Sequence, residues 1–167
     1  MASHPPDPTF LIVSGGQTGV DRAALDAART KDLPVTGWIP AGRKAEDGMI
    51  PRRYRGLRET RSGASSMRTE RNVRDANAVL IVMRGGTSGG TRLALETAQK
   101  LGRPMLELDL GTSTEDQAAK ALSTWLGSLP RPIRLNIAGP RESESPGIHR
   151  TCQRLLERAL DGAGHPG

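Results

Sequence analysis

Short apolar runs alternate with longer amphipathic stretches along most of this chain. The runs are Phe10-Leu11-Ile12-Val13, Val35-Thr36-Gly37-Trp38-Ile39, Ala78-Val79-Leu80-Ile81-Val82, Met105-Leu106-Glu107-Leu108 and Ile133-Arg134-Leu135-Asn136-Ile137. At least two are apolar nearly throughout, as strands covered on both faces require. Between them the period changes. Val20, Ala23, Ala24, Ala27 and Ala28 follow the i, i+3, i+4, i+7, i+8 spacing of a helix face. Ala118, Ala119, Leu122, Trp125 and Leu126 form a second stripe, and Ile148, Cys152, Leu155, Leu156, Ala159 and Leu160 a third. A further helix is predicted from Arg92 to Leu101. Thr112-Ser113-Thr114-Glu115 resembles a capping box, and Ser145-Pro146 sets a proline just inside a predicted helix start.

Strands and helices alternating at this spacing predict a parallel sheet with right-handed crossovers, an α/β architecture. The length of 167 residues fits one domain, placed at 9–160. The proline-bearing residues 1–8 and the segment 161–167, DGAGHPG, are predicted to be disordered tails. Lys and Arg number 24 against 18 Asp and Glu, a net charge of +6 that suits an anionic partner without choosing among nucleotide, phosphorylated cofactor and nucleic acid. Aromatic residues are 2%, which disfavours stacking on single-stranded bases. One cysteine and three histidines build neither an intramolecular disulfide nor a structural zinc centre. No directly ligated metal is expected, and a reducing cytoplasm is the expected setting. The start, MASHPPDPTF, lacks the pattern of a signal peptide, and no apolar run approaches the ~18 residues of a membrane span.

In an open parallel sheet, ligands bind beyond the carboxyl ends of the strands. The first strand is predicted to end at Ser14, followed by Gly15-Gly16-Gln17-Thr18-Gly19 and a helix. Glycines let backbone N–H groups approach a ligand, and a helix start favours an anion, so phosphate is the natural guest. The loop is neither a Walker A motif nor a regular GxGxxG; alone, a tight turn capped by Thr18 explains it equally well. A second loop, Gly85-Gly86-Thr87-Ser88-Gly89-Gly90-Thr91 after Arg84, weighs for ligand binding, because four glycines are costly as mere connection. A third, Asn136 to Gly147, carries Arg141, suited to bidentate contact with an anion. A solvated turn accounts for it as readily.

From Pro40 to Met67 no regular element is predicted. This stretch holds Arg43 in a glycine-bounded turn, then Arg52, Arg53, Arg55, Arg58 and Arg61. Arg68, Arg71 and Arg74 follow on a predicted helix. Most suit a solvated basic face; Arg43 is the better candidate for a ligand contact. No catalytic constellation is evident. His4 and His165 lie in the tails, His149 is expected at the surface, and Cys152 sits on an apolar stripe as an inert thiol. The carboxylates that could serve an enzyme are Asp21, Glu46, Asp47, Glu70 and Glu96.

The segments SGGQTGVDRAALDAA, GWIPAGRKAEDG, RTERNVRDANAVLIV, GGTRLALETAQKLGRP and LNIAGPRESESPGI, in that order from about Phe10 to Leu160, resemble the putative molybdenum carrier family of the SLOG superfamily. The resemblance implies a Rossmann-like doubly wound, mainly parallel sheet in three α/β/α layers. It implies a phosphate site of Gly15, Gly16, Gln17, Thr18 and Gly19 opposite Gly89, Gly90 and Thr91; the two loops themselves add Ser14, Gly85, Gly86, Thr87 and Ser88 to the candidates. It also implies a homo-oligomer, a dimer or tetramer. The bound ligand would be molybdenum cofactor or a nucleotide.

Two cousins offer other chemistry. The Lonely Guy phosphoribohydrolases carry PGGxGTxxE, but here Ala94 stands three residues after Thr91 and Arg84 precedes the glycines. The DNA-processing protein A family, which binds single-stranded DNA, shares patterns with Ser14–Asp21 and Thr87–Glu96. A phosphate-ligand carrier therefore ranks first, a hydrolase of nucleoside monophosphates second, and a polyanion-binding module using residues 52–74 third. Fold alone does not choose.

Overall fold

A computed structural model describes residues 8–87 and 89–161. Ser88, residues 1–7 and residues 162–167 lie outside the described residues, and with them His4, His165 and most of both expected tails.

Six strands form one parallel sheet: β1 Phe10–Val13, β2 Val35–Ile39, β5 Leu57–Glu59, β6 Ala78–Met83, β7 Met105–Asp109 and β8 Ile133–Ala138. Their order is β5-β2-β1-β8-β6-β7, every neighbouring pair parallel. Strands β3 Lys44–Ala45 and β4 Gly48–Met49 make a separate antiparallel hairpin. Five helices cover the sheet: α1 Val20–Thr30, α2 Ser65–Asp75, α3 Gly89–Lys100, α4 Glu115–Ser128 and α5 Ile148–Ala159.

The alternation along β6 sorts the helices. Leu80 and Val82 face a core built with α1, α4 and α5, where the alanine stripe of α1 meets Cys152, Leu155 and Leu156 of α5. Val79 and Ile81 face the other way, against Val73 of α2 and Ala94 and Ala98 of α3. Two-sided burial explains why this strand is apolar at every position. Successive strands run outward in both directions from the middle of the sheet. The turning point lies over the carboxyl ends of β1, β8 and β6, where open sheets of this kind bind ligands.

The expected connection from Pro40 to Met67 is more structured than its sequence suggested. It contains the hairpin, the edge strand β5 and the start of α2. With only three residues, two of them Arg58 and Glu59, β5 carries too little apolar pattern to be read as a strand. Ile50 and Tyr54 from this connection pack with Leu25 and Ile39 in a third cluster. The capping box is real but shifted: Thr114 caps α4 with Gln117 rather than with a glutamate. The proline at 146 is not inside α5, because Gly147 in the left-handed region (φ 86°) caps a helix that begins at Ile148, two residues after it.

Leu80 is fully buried. Leu80→Ala is expected to cost about 2–5 kcal/mol, a loss of transfer energy plus a cavity. Leu101→Ala, at a site 36% exposed, should stay within about 0.5 kcal/mol of wild type. Urea denaturation of the two variants checks the contrast.

Candidate functional site

A cavity of ≈ 300 Å³ opens at the carboxyl edge of β1 and β8. Its walls come from the loop after β1, one face of α2, the first turn of α3 and the loop after β8. The floor is an ion pair: Arg68 Nη1 lies 2.9 Å from Asp21 Oδ2, and both side chains are buried to about nine-tenths. Gln17 N–H donates to the same carboxylate oxygen at 3.3 Å. Burial raises the Asp21 carboxyl above its ordinary value, against the opposing pull of Arg68.

This pair explains Gly15. A Cβ there would lie 1.8 Å from Arg68 Nη1, so the missing side chain is the space the guanidinium occupies. Gly19, with φ 76°, allows the Pro140 carbonyl to approach where a Cβ would stand 2.2 Å away. The loop glycines therefore serve close packing. Most of the loop's N–H groups are also already engaged within the protein: Gly16 donates to Ser14 Oγ, Gln17 to Asp21, Thr18 to Gln17 Oε1 and Val20 to the Pro140 carbonyl.

Of the residues expected at the phosphate site, the structure gathers Gly15, Gln17, Gly89, Gly90, Thr91 and Arg141 around the cavity. Gly86 and Thr87 line a smaller annex of ≈ 80 Å³ beside it. Gly85 donates its N–H to Asp109 Oδ1 at 3.0 Å, which holds the loop to the end of β7. Ser14 is a buried strut, its hydroxyl donating to the Asp21 carbonyl. Gly16 packs beside Ile50 and Ile39. Thr18 and Gly19 turn toward a separate groove on the α1–α5 side.

Arg43 does not line the cavity. Its side chain is buried, Nε donating to the Ile50 carbonyl at 2.9 Å and Nη2 to that of Pro51 at 3.0 Å. A cation in a glycine-bounded turn looks the same in sequence whether it meets a ligand or its own backbone. Arg141 does reach the rim, where Nε lies 3.0 Å from Glu144 Oε1 and Nη1 3.7 Å from Glu46 Oε2. The hydrogen bond to Glu144 holds its pKa above the ordinary guanidinium value.

Among the acidic candidates, Asp21 alone lines the main cavity. Glu46 and Asp47, at the hairpin tip, staple that hairpin to the first loop. Glu46 accepts from the Thr18 hydroxyl and from Ser143 N–H and Oγ, and its own N–H donates to Gln17 Oε1 at 2.9 Å. Asp47 takes both terminal nitrogens of Arg22, at 3.0 and 3.2 Å. The Ser143 hydrogen bond holds the Glu46 carboxyl below its ordinary range, and the Arg22 hydrogen bond does the same for Asp47. Glu70 and Glu96 are exposed on α2 and α3. Cys152 is fully buried and its thiol is pushed up to about 12, mainly by burial. His149 is more engaged than a surface histidine: Nε2 lies 2.7 Å from Asp26 Oδ2, and the other oxygen of Asp26 accepts from the Tyr54 hydroxyl at 2.6 Å.

The cavity also uses residues not singled out from sequence: Arg68, Thr69, Asn72, Asn136 and Gly139. A signal for three of them was present. Ser65, Arg68, Thr69 and Asn72 fall at i, i+3, i+4 and i+7 of α2, a polar stripe on the face that turns toward the sheet. No aromatic residue lines the cavity. Among the described residues, no three His, Cys, Asp or Glu side chains are grouped to hold a metal ion, and no helix is long and apolar enough to cross a membrane.

A family model described as the circularly permutated YpsA SLOG family matches residues 12–160. A crystal structure of a putative molybdenum carrier protein from Syntrophus aciditrophicus SB superposes with a TM-score of 0.84 at 41% sequence identity, covering 92% of this chain and 96% of that one. No curated protein matches.

The staple has a pH signature. A carboxylate whose folded pKa is depressed adds stability that is full above its unfolded value and is lost as pH falls through the folded one. Glu46 and Asp47 should therefore weaken the fold as pH drops below their ordinary values of 4.5 and 3.8. Asp21, shifted upward, works in the opposite sense and is relieved by acid. The double variant Glu46→Gln/Asp47→Asn should be less stable at neutral pH and lose less on acidification. Urea titrations from about pH 7 to about pH 3 test this; parallel curves for the two proteins would remove the staple from the acid response.

Proposed function

This chain belongs to the circularly permutated YpsA SLOG family, and we propose that it is a binding protein for a phosphate-bearing small ligand. The observation that carries the reading is the cavity at the turning point of the sheet, where Gly89, Gly90 and Thr91 open α3 between Arg68 and Arg141. A helix start offers free N–H groups and partial positive charge, and two guanidiniums add donors for phosphoryl oxygens.

A phosphorylated pterin such as molybdenum cofactor is the ligand we assign first, by analogy with the molybdenum carrier name of the 41% identical neighbour. Its phosphate would lie at the first turn of α3. The ring would be held by polar and edge contacts, since no aromatic side chain lines the walls. Molybdenum would arrive on the pterin as cargo. The family's oligomeric habit further suggests a homodimer or tetramer, and a cytoplasmic setting fits a single buried thiol.

A second reading has one observation in its favour. Asp21 is a buried carboxyl with a raised pKa on the cavity floor, the environment that suits a general acid. On this reading the protein cleaves the N-glycosidic bond of a nucleoside monophosphate. Asp21→Asn should then abolish release of free base, while phosphate binding persists.

The carrier reading is tested at Gly90. A Cβ there meets only Thr69 Oγ1, at 3.9 Å, so the backbone accepts a side chain. Gly90→Asp puts a carboxylate at the helix start and should abolish ligand binding while unfolding stays cooperative. Native mass spectrometry of both proteins gives the mass of any retained ligand and of the oligomer. A pterin-sized adduct in wild type alone supports the carrier, and a nucleoside monophosphate or ribose phosphate favours the hydrolase. Undiminished ligand in the variant overturns the placement.

A further inference from the structure

The main cavity does not end at the first turn of α3. The annex of ≈ 80 Å³ shares Thr91 and Glu144 with it, so the two chambers adjoin beside the first turn of α3. At that size the annex is no independent site, because pockets for whole small molecules begin at about 300 Å³. It has room for a polar group attached to something larger. Besides the two shared residues it is lined by Arg84, Gly86, Thr87, Pro140 and Ser145.

Charge distinguishes the chambers. Three guanidiniums line them together. Arg68 is paired with Asp21, and Arg141 with Glu144. Arg84 is different: its Nη1 donates only to neutral oxygens, Ser145 Oγ and the Pro146 carbonyl, at 3.3 Å each. Among the described residues, no ion pair engages it. These are long bonds to weak acceptors, and Arg84 is exposed. A phosphoryl oxygen would be the stronger partner. Glu144, on the shared wall, would repel an anion, but Arg141 holds it through Nε at 3.0 Å and through its backbone N–H at 3.1 Å.

Resting on the phosphate-site reading above and narrowing its ligand, we infer that the site takes two linked phosphoryl groups, as in a nucleoside diphosphate or a pyrophosphate diester that joins a phosphorylated pterin to a nucleotide, rather than the monophosphate alone. One group occupies the main cavity beside Arg141. The second lies in the annex against Arg84, with Thr91 and Glu144 at the junction of the two chambers. A monophosphate fills only one chamber and leaves Arg84 on its weak internal acceptors.

The test is isothermal titration of the full chain with adenosine monophosphate, adenosine diphosphate, inorganic phosphate and inorganic pyrophosphate. Wild type should bind each two-phosphoryl probe about tenfold or more tightly than its one-phosphoryl partner, the gain expected from one added charge-assisted contact. In Arg84→Gln that ratio should fall to near one, and Arg84→Lys should restore part of it. Thermal unfolding of both variants confirms that the loop change has not cost the fold. A ratio near one in wild type, or an unchanged ratio in Arg84→Gln, overturns the two-phosphoryl ligand and leaves the phosphate site standing. Absence of binding by all four probes overturns both.

Discussion

The Asp21–Arg68 ion pair is the contact on which the site depends. It joins the first turn of α1 to the first turn of α2 beside the loop after β1, and so ties together these parts of the cavity wall. Two charges buried this deeply gain little net energy from each other, because each has surrendered its hydration. What the pair supplies is position. Removing one partner would leave the other charged and uncompensated beneath a glycine whose place it already fills. The Nε of Arg68, buried and without a hydrogen-bond partner among the described residues, marks a cost in polar satisfaction for this placement.

Around that pair the loops are stitched into one body. Gln17 and Thr18 of the first loop hold the hairpin tip through Glu46, Arg22 reaches the same tip through Asp47, and Thr18 Oγ1 accepts from Glu142 N–H in the loop after β8. Gly19 lets that last loop come close enough for Val20 N–H to donate to the Pro140 carbonyl. Segments more than a hundred residues apart in sequence thus share one hydrogen-bond network. Such networks act cooperatively and fix a single arrangement when every member is satisfied. A ligand in the cavity meets walls that are already set, which lowers the ordering cost of binding.

Several of the arginines in and before the basic stretch 52–74 have partners within the protein. Arg43 ties its own turn, and Arg53 stacks on Tyr54 at 4.8 Å and donates to its hydroxyl. Arg58 and Arg71 lie over the Trp38 ring, at 4.2 and 4.7 Å from its centre. With both guanidiniums against it, that indole is poorly placed to stack a nucleobase. Within the segment 52–74, Arg53, Arg58 and Arg71 thus make local cation–π contacts and Arg68 an ion pair, while Arg52, Arg55, Arg61 and Arg74 stand exposed.

The sequence by itself determined the alternation of strands and helices, the parallel sheet and the two glycine loops at its carboxyl edge. These follow from local periodicity and from backbone freedom, which a linear pattern carries directly. It also marked Thr91, Arg141 and Asp21 as residues near the chemistry. What it left open was partnership. Whether a glycine admits a ligand or a neighbouring side chain, and whether an arginine binds phosphate or its own carbonyls, depends on what lies opposite. Only folding brings Arg68 to Gly15, Glu46 to Thr18 and Glu142 to the first loop. Arg43 and Arg68 were alike as basic residues in one stretch. Tertiary structure turned one into an internal strut and set the other in the cavity floor, because the register of α2 on the sheet points Ser65, Arg68, Thr69 and Asn72 inward together.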